Sequence, residues 1–186
     1  VDVPQRLYDR PANLFVASFI GSPEMNLVQA ELEAEDGGLV CRVGGQTLRV
    51  PAEATRERPA LERYVGKTVA VGIRPEHLED ASLEATRVGP GRLRGRVVTT
   101  EPLGSDLLAY VEVAAAPVVT EEVLEVAGDA DRSLADDLRA EAGRRQTVLV
   151  ARFAIDSPAR PGDEIEVGVE TAKLHFFDLE TETAIC

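Results

Sequence analysis

His77 and His175 are the only histidines in the chain, and each has a carboxylate close by: Glu76 precedes the first and Asp178 follows the second by three residues. An imidazole beside a carboxylate can serve as a general base or as a metal ligand. Neither histidine has a third donor at a metal-like spacing. The pattern therefore favours structural work, with His77 bracing the turn after a strand and His175 sitting in an edge strand. Ser105-Asp106 sets a hydroxyl beside a carboxylate. A nucleophile also needs an activating base, which the sequence does not supply there, so the pair reads as a turn. Arg74 and Glu76 flank Pro75 and either form a structural pair or contact a partner domain. An exposed pair of that kind contributes only about 0–1 kcal/mol. No G-x-x-x-x-G-K-[ST] motif occurs, so no phosphate cradle for ATP is encoded here.

The elements that must position these residues are mostly strands. Val69, Val71 and Ile73 alternate with Ala70 and Gly72, the period of a strand with one face in the core. Pro75 ends that ladder because it has no N–H to donate. Upstream, Val28, Ala30, Leu32 and Ala34 alternate with Gln29, Glu31, Glu33 and Glu35; the glutamates read as a solvated face rather than a cation site. Asp36-Gly37-Gly38 marks a turn, and Gly44-Gly45 a two-residue hairpin loop. Pro51 to Pro59 reads as a polar loop and Leu61 to Tyr64 as one helical turn. Gly89-Pro90-Gly91 punctuates a connection. Strands are predicted over 93–100 and 107–113 around Pro102-Leu103-Gly104-Ser105-Asp106. Further strands are predicted over 147–152, 165–169 and 174–178, with a turn at Arg160-Pro161-Gly162-Asp163. Two helices interrupt the β pattern. The first places Pro11 in its first turn, presents Phe15, Val16, Phe19 and Ile20 on one face and stops at Gly21. Ser133 and Asp136 form a capping box for the second, over 133–143, within an apparent helical insertion at about 114–145. Many short strands with regular turns indicate a small barrel or sandwich.

The bulk composition excludes several classes. The chain has 186 residues, 44% of them hydrophobic, so it can bury a core. Lys+Arg 20 against Asp+Glu 33 gives a net charge of -13, the wrong sign for a nucleic-acid or anionic-lipid surface. Single-stranded nucleic acid would also need stacking platforms, and there are only 3 Tyr and 5 Phe. No apolar run is long enough to span a membrane. Cys41 and Cys186 form no metal or redox spacing and read as two reduced thiols. Val1 at the start, with Met25 the sole methionine, leads us to expect that the chain is not a whole reading frame.

Five segments carry a resemblance. Val71-Gly-Ile-Arg-Pro-Glu-His-Leu78 resembles the signature of the C-terminal regulatory domain in carbohydrate-importer ABC ATPases, those serving maltose, trehalose, oligosaccharides or glycerol 3-phosphate. Leu7 to Asn26 resembles that family's junction between its ATPase and regulatory domains. Gly95 to Gly104 is similar to its G-x-V-x-x-x-E-x-L-G strand and turn. Leu149 to Arg152 with Arg160 to Asp163 resembles the next strand and turn. His175-Phe-Phe-Asp178 with Thr181 to Ile185 resembles the closing H-x-F-D-x-x-T-x-x-A-I.

The resemblance implies a mainly β, OB-fold-like barrel of the transport-associated (TOBE) type over 23–186. Residues 1–22 would be the last helix of a preceding ATPase domain, on which Phe15 and Phe19 would pack. It implies no enzymatic activity, cofactor or metal in this part, with ATP and Mg2+ held by the ATPase domain. It also implies a cytoplasmic place beside the membrane, dimerisation, permease partners reached through the ATPase domain, and a regulatory role that a protein could trigger. Arg74, Pro75, Glu76, His77, Glu101, Gly104, His175, Phe177 and Asp178 are the matching signature residues and the candidates for a regulatory surface. A free-standing small-oxyanion binder is the alternative, and it would need a cationic pocket.

Overall fold

The computed structural model describes residues 4–83, 91–119 and 145–186. Among the described residues ten strands form two five-stranded antiparallel sheets that enclose one core. The first sheet holds β1 (Asn26–Glu35), β2 (Gly38–Val43), β3 (Gln46–Val50), β4 (Thr68–Ile73) and β10 (His175–Phe177), in the order β10-β4-β1-β2-β3. The second holds β5 (Leu78–Asp80), β6 (Gly91–Leu103), β7 (Asp106–Val113), β8 (Thr147–Ala154) and β9 (Glu164–Val169), in the order β5-β9-β6-β7-β8. Val28, Leu32, Leu48, Val71, Leu93, Val111, Leu149 and Phe153 meet between them, each at most 1% exposed. The strands form because β-branched and leucine side chains alternate inward along them.

The predicted hairpin at Gly44-Gly45 is present: the two glycines have φ of 53° and 81°, and Val43 pairs with Gln46 across them. A two-residue loop of this hand matches the strand twist and favours residues without a Cβ. β4 departs from expectation. Ala70 and Gly72 are buried along with Val69, Val71 and Ile73, so the strand is covered on both faces. Its second face lies under a small cluster of Leu14, Ala17, Met25 and Phe177.

That cluster belongs to the N-terminal segment, which is two short helices rather than one. The first, α1, spans Pro4–Asp9, and the second, α2, spans Leu14–Phe19. Asn13 caps α2, its Oδ1 accepting from the Val16 N–H at 2.9 Å, so Pro11 lies before the helix and not in its first turn. The buried face is Leu14 and Ala17, while Phe15 and Phe19 point outward. The Pro51–Pro59 segment is likewise not all loop, since α3 spans Ala52–Glu57 ahead of a 3-10 turn at Pro59–Tyr64. Residues 120–144 and 84–90, which hold the predicted helix 133–143 and Gly89-Pro90, lie outside the described residues. The start of the expected insertion packs as barrel wall: Ala115 is buried and Pro117 bridges to Val28.

Two side-chain carboxamides stitch one sheet to the other. Asn26 accepts from the Val150 N–H at 2.7 Å and donates to the Val150 carbonyl at 2.9 Å and the Ile73 carbonyl at 3.0 Å. Gln46 accepts from the Arg94 N–H at 2.6 Å and donates to the Arg94 carbonyl at 3.1 Å. β7 pairs with β6 only from Gly95 onward, so Arg94 has an open edge that Gln46 fills. Both carboxamides stand in for a peptide group where two strands do not meet.

Candidate functional site

The signature turn after β4 is an internal joint. Pro75–His77 forms one 3-10 turn, closed by the His77 N–H donating to the Arg74 carbonyl at 2.9 Å. Arg74 is only 1% exposed. Its guanidinium donates Nη1 to the Ile20 carbonyl and Nη2 to the Tyr8 carbonyl, the latter at 2.7 Å, and its Cζ sits 3.8 Å from the centre of the Tyr8 ring. The Tyr8 hydroxyl donates to Glu76. Burial and that carboxylate push the Tyr8 phenol up to about 12, so it stays a donor throughout the physiological range. Arg74 and Glu76 thus do not pair directly; Tyr8 stands between them and ties the turn to α1. Gly21 is required beside this joint: a Cβ there would lie 3.0 Å from the Pro23 carbonyl, 3.1 Å from Arg74 Nη1 and 3.3 Å from the Tyr8 ring.

The remaining signature residues fall into three places. Pro75 and Phe177 are buried like Arg74; Glu76, His77 and His175 are half-buried near the joint; Asp178, also half-buried, lies at the far end of β10. Asp178 ends β10 as a turn brace, accepting from Thr181 and Glu180 N–H groups at 2.7 and 2.8 Å and from the Tyr64 hydroxyl at 2.7 Å. Those donors, the Thr181 N–H above all, hold its carboxyl below the usual range. Glu101 and Gly104 lie far off in sequence on the tip of the β6–β7 hairpin, exposed, with the Tyr110 hydroxyl 3.4 Å from Glu101. The hairpin extends past the predicted strand ends to Leu103 and turns through Gly104-Ser105, and Val98 and Leu103 are left exposed along it. Phe15 and Phe19 stack with ring centres 4.6 Å apart and are 40% and 59% exposed.

His175 does lie in an edge strand, as expected, since β10 closes one side of the first sheet. Burial pulls its imidazole down to about 4, helped by Arg74, Arg58 and His77 and opposed by Asp9. His77 is lowered as well, chiefly by burial. Among the described residues no group of three or more His, Cys, Asp or Glu could hold a metal ion, and both cysteines are free thiols. The depressed His175 gives a pH dependence of stability. An unfolded histidine titrates near 6.5. Between there and about 4 the unfolded chain takes up a proton that the fold refuses, so stability falls as pH falls across that window and is unaffected above it. From pH 7 to pH 4.5 the loss from this one group is about 2 kcal/mol. Urea unfolding of wild type and His175→Gln at those two pH values should show a smaller acid loss in the variant; equal losses would refute the assignment.

Sequence reasoning missed Tyr8 and Asn26. Arg74, Asn26 and Gln46 bond mainly to backbone groups, which leave no trace in residue type.

Comparison with known proteins fits this architecture. The MalK OB fold domain matches residues 21–78 and the TOBE domain matches residues 71–135. The trehalose import ATP-binding protein SugC of Mycobacterium tuberculosis is 32% identical, over 97% of this chain and 43% of that protein. The sn-glycerol-3-phosphate import ATP-binding protein UgpC of Chromobacterium violaceum is 34% identical, over 100% of this chain and 38% of that protein. The trehalose/maltose import ATP-binding protein MalK of Thermococcus litoralis is 32% identical, over 100% of this chain and 41% of that protein. The chain thus spans about two fifths of the length of these relatives. The molybdate-binding protein ModG aligns with a TM-score of 0.46 at 14% identity, over 81% of this chain and 94% of that one, a likeness too slight to bear on function. Two family matches that overlap at residues 71–78 of this barrel, with relatives aligned over nearly all of the chain, place it in the TOBE-type OB-fold domain family, similar throughout to a part of importer ATP-binding subunits.

Proposed function

We propose that this chain is the regulatory and dimerising part of the ATP-binding subunit of a sugar or glycerol 3-phosphate importer, and is not itself an enzyme. The observation that carries the reading is the alignment of nearly the whole chain with such subunits at 32–34% identity. In this reading residues 1–22 close a preceding ATPase domain that holds ATP and Mg2+, and residues 23–186 form the barrel. The exposed Phe15–Phe19 stack supports that division, because such a pair on a short helix is normally covered by a further surface. The subunit works at the cytoplasmic face with permease partners. Two barrels hold two subunits together at their far end while the ATP-binding ends open and close. A regulatory protein or metabolite then acts by binding one of those states more tightly than the other. The Arg74–Tyr8 joint supports this reading, since it makes α1 and the barrel a single body.

The test is deletion of residues 24–186 from the subunit in which this chain naturally occurs. Loss of dimer geometry in the ADP-bound state and loss of regulated transport are expected. Unchanged dimerisation, transport and inhibition would refute the proposal.

A further inference from the structure

A cleft of about 490 Å3 opens where α1 and the segment after it meet the end of α3, β10 and the last residues of the chain. Its volume falls within the range of small-ligand sites, roughly 300–1,000 Å3, and exceeds what a bare oxyanion fills. Arg6 and Arg10 line it from the N-terminal side and Arg58 from the barrel side. Asp9 and Glu57 are the carboxylate side chains that oppose them. The α-carboxylate of Cys186 also lines the cleft, so three cations meet three anions, 3 − 3 = 0, a neutral patch in a chain whose net charge is -13. The Asp9 carboxylate is already engaged by Gln5 Nε2 at 3.0 and 3.1 Å. Arg10 and Arg58 form no ion pair among the described residues, and Arg58 makes one long hydrogen bond, 3.4 Å to the Ala54 carbonyl. Guanidiniums left without carboxylates in so acidic a chain are open to an external anion, and their planar fork suits phosphate oxygens. The floor is apolar, built from Pro11, Phe176 and Ile185, with His175 beside it.

We propose that this cleft binds a small organic phosphate: a phosphate monoester held by Arg10 and Arg58, its compact carbon body lying on Pro11, Phe176 and Ile185. Its regulatory meaning rests on the function proposed above. Arg10 comes from the segment that leads in from the ATPase domain, whereas Arg58 comes from the barrel. A ligand that holds both reinforces the Arg74–Tyr8 joint that already ties that segment to the barrel.

The experiment uses this chain with glucose 6-phosphate as probe, followed by proton NMR of the two histidine rings, His175 being assigned with a His77→Gln variant. The groups facing His175 are Arg74, Arg58, His77 and Asp9, and a bound dianion adds to the one negative charge among them. A rise in the His175 titration point is therefore expected on adding millimolar probe, with no response to glucose. Arg10→Gln and Arg58→Gln should each weaken binding by about tenfold or more, as loss of a charged hydrogen bond does, while retaining a folded spectrum. No response of His175 in the wild type overturns the proposal, as does undiminished binding in folded Arg58→Gln. Inorganic phosphate binding as tightly as the probe overturns the organic class and leaves a bare-anion site. Binding to this chain is read without ATPase or transport, so its failure is distinct from failure of the importer reading.

Discussion

Gly44→Ala is expected to destabilise the protein by about 4 kcal/mol, and Gly45→Ala by only about 1 kcal/mol. Both residues sit in the same hairpin loop at positive φ, 53° and 81°. They therefore share the modest cost of a Cβ in left-handed backbone. They differ in surroundings. A Cβ on Gly45 would meet nothing within 4 Å, whereas one on Gly44 would fall 1.0 Å from the Ala114 carbonyl oxygen and 2.2 Å from its carbon. Backbone cannot swing aside as a long side chain does. Either the β2–β3 loop or the chain leaving β7 must move by the better part of an atomic diameter. Ala115, 1% exposed in the core, would be dragged with it. In thermal unfolding, roughly 2–4 °C per kcal/mol for a chain of this size puts the Gly44→Ala midpoint about 10 °C low. Similar midpoints for the two variants would mean that the loop and Ala114 are not in contact.

Arg74→Met is expected to cost about 3–5 kcal/mol, the range for breaking a buried charged network. The methionine replaces the aliphatic stem well enough, so the loss is in the head group. It leaves the Ile20 and Tyr8 carbonyls without their donors and removes the cation from the Tyr8 ring. Burial disfavours the charged guanidinium, which is therefore lowered below its ordinary pKa, and those carbonyls, Tyr8, Glu76 and Asp9 compensate it in part. Arg74→Lys should recover little, because an ammonium cannot reach both carbonyls with a planar fork. Hydrogen exchange is the informative readout. The Arg10 N–H, which donates to the Arg6 carbonyl at 2.8 Å, and the Ile20 N–H, which donates to Val16 at 3.1 Å, should lose protection well before the β6–β7 ladder does. Loss of protection everywhere at once would show that the joint is part of the core rather than a clamp upon it.

The barrel was legible from sequence where side-chain chemistry fixes the backbone. Gly44-Gly45, Asp163 after Gly162, and the inward alternation along β1 all carry their conformation in residue type. β4 was misjudged because alanine and glycine read as the solvent-side half of an alternating strand. At Ala70 and Gly72 their smallness instead admits Leu14, Met25 and Phe177 from above. The first helix was placed too early because Pro11 is a common first-turn residue, while the capping Asn13 marked the true start two residues later. The buried Arg74 was the hardest case. Arginine is ordinarily exposed, and its partners here are main-chain oxygens 54 and 66 residues away. For the same reason the signature residues read as one surface, whereas the fold buries Arg74, Pro75 and Phe177 and sends Glu101 and Gly104 to an exposed hairpin tip.

The two carboxamide stitches also bear on how the barrel forms and comes apart. Asn26 reaches a strand 124 residues away and Gln46 one 48 residues away, whereas β2 pairs with β3 across a two-residue loop. Closing long loops is slow and entropically costly, and the Asn26 contact spans more chain than any pairing within the sheets, where Phe177 meets Ala70 across 177 − 70 = 107 residues, so both sheets are expected to assemble before Asn26 finds its partner strand. Contacts made after the folding barrier leave the rate of folding nearly unchanged and retard unfolding instead. Asn26 is thus expected to act as a latch on the lifetime of the closed barrel, with little influence on how quickly it is reached.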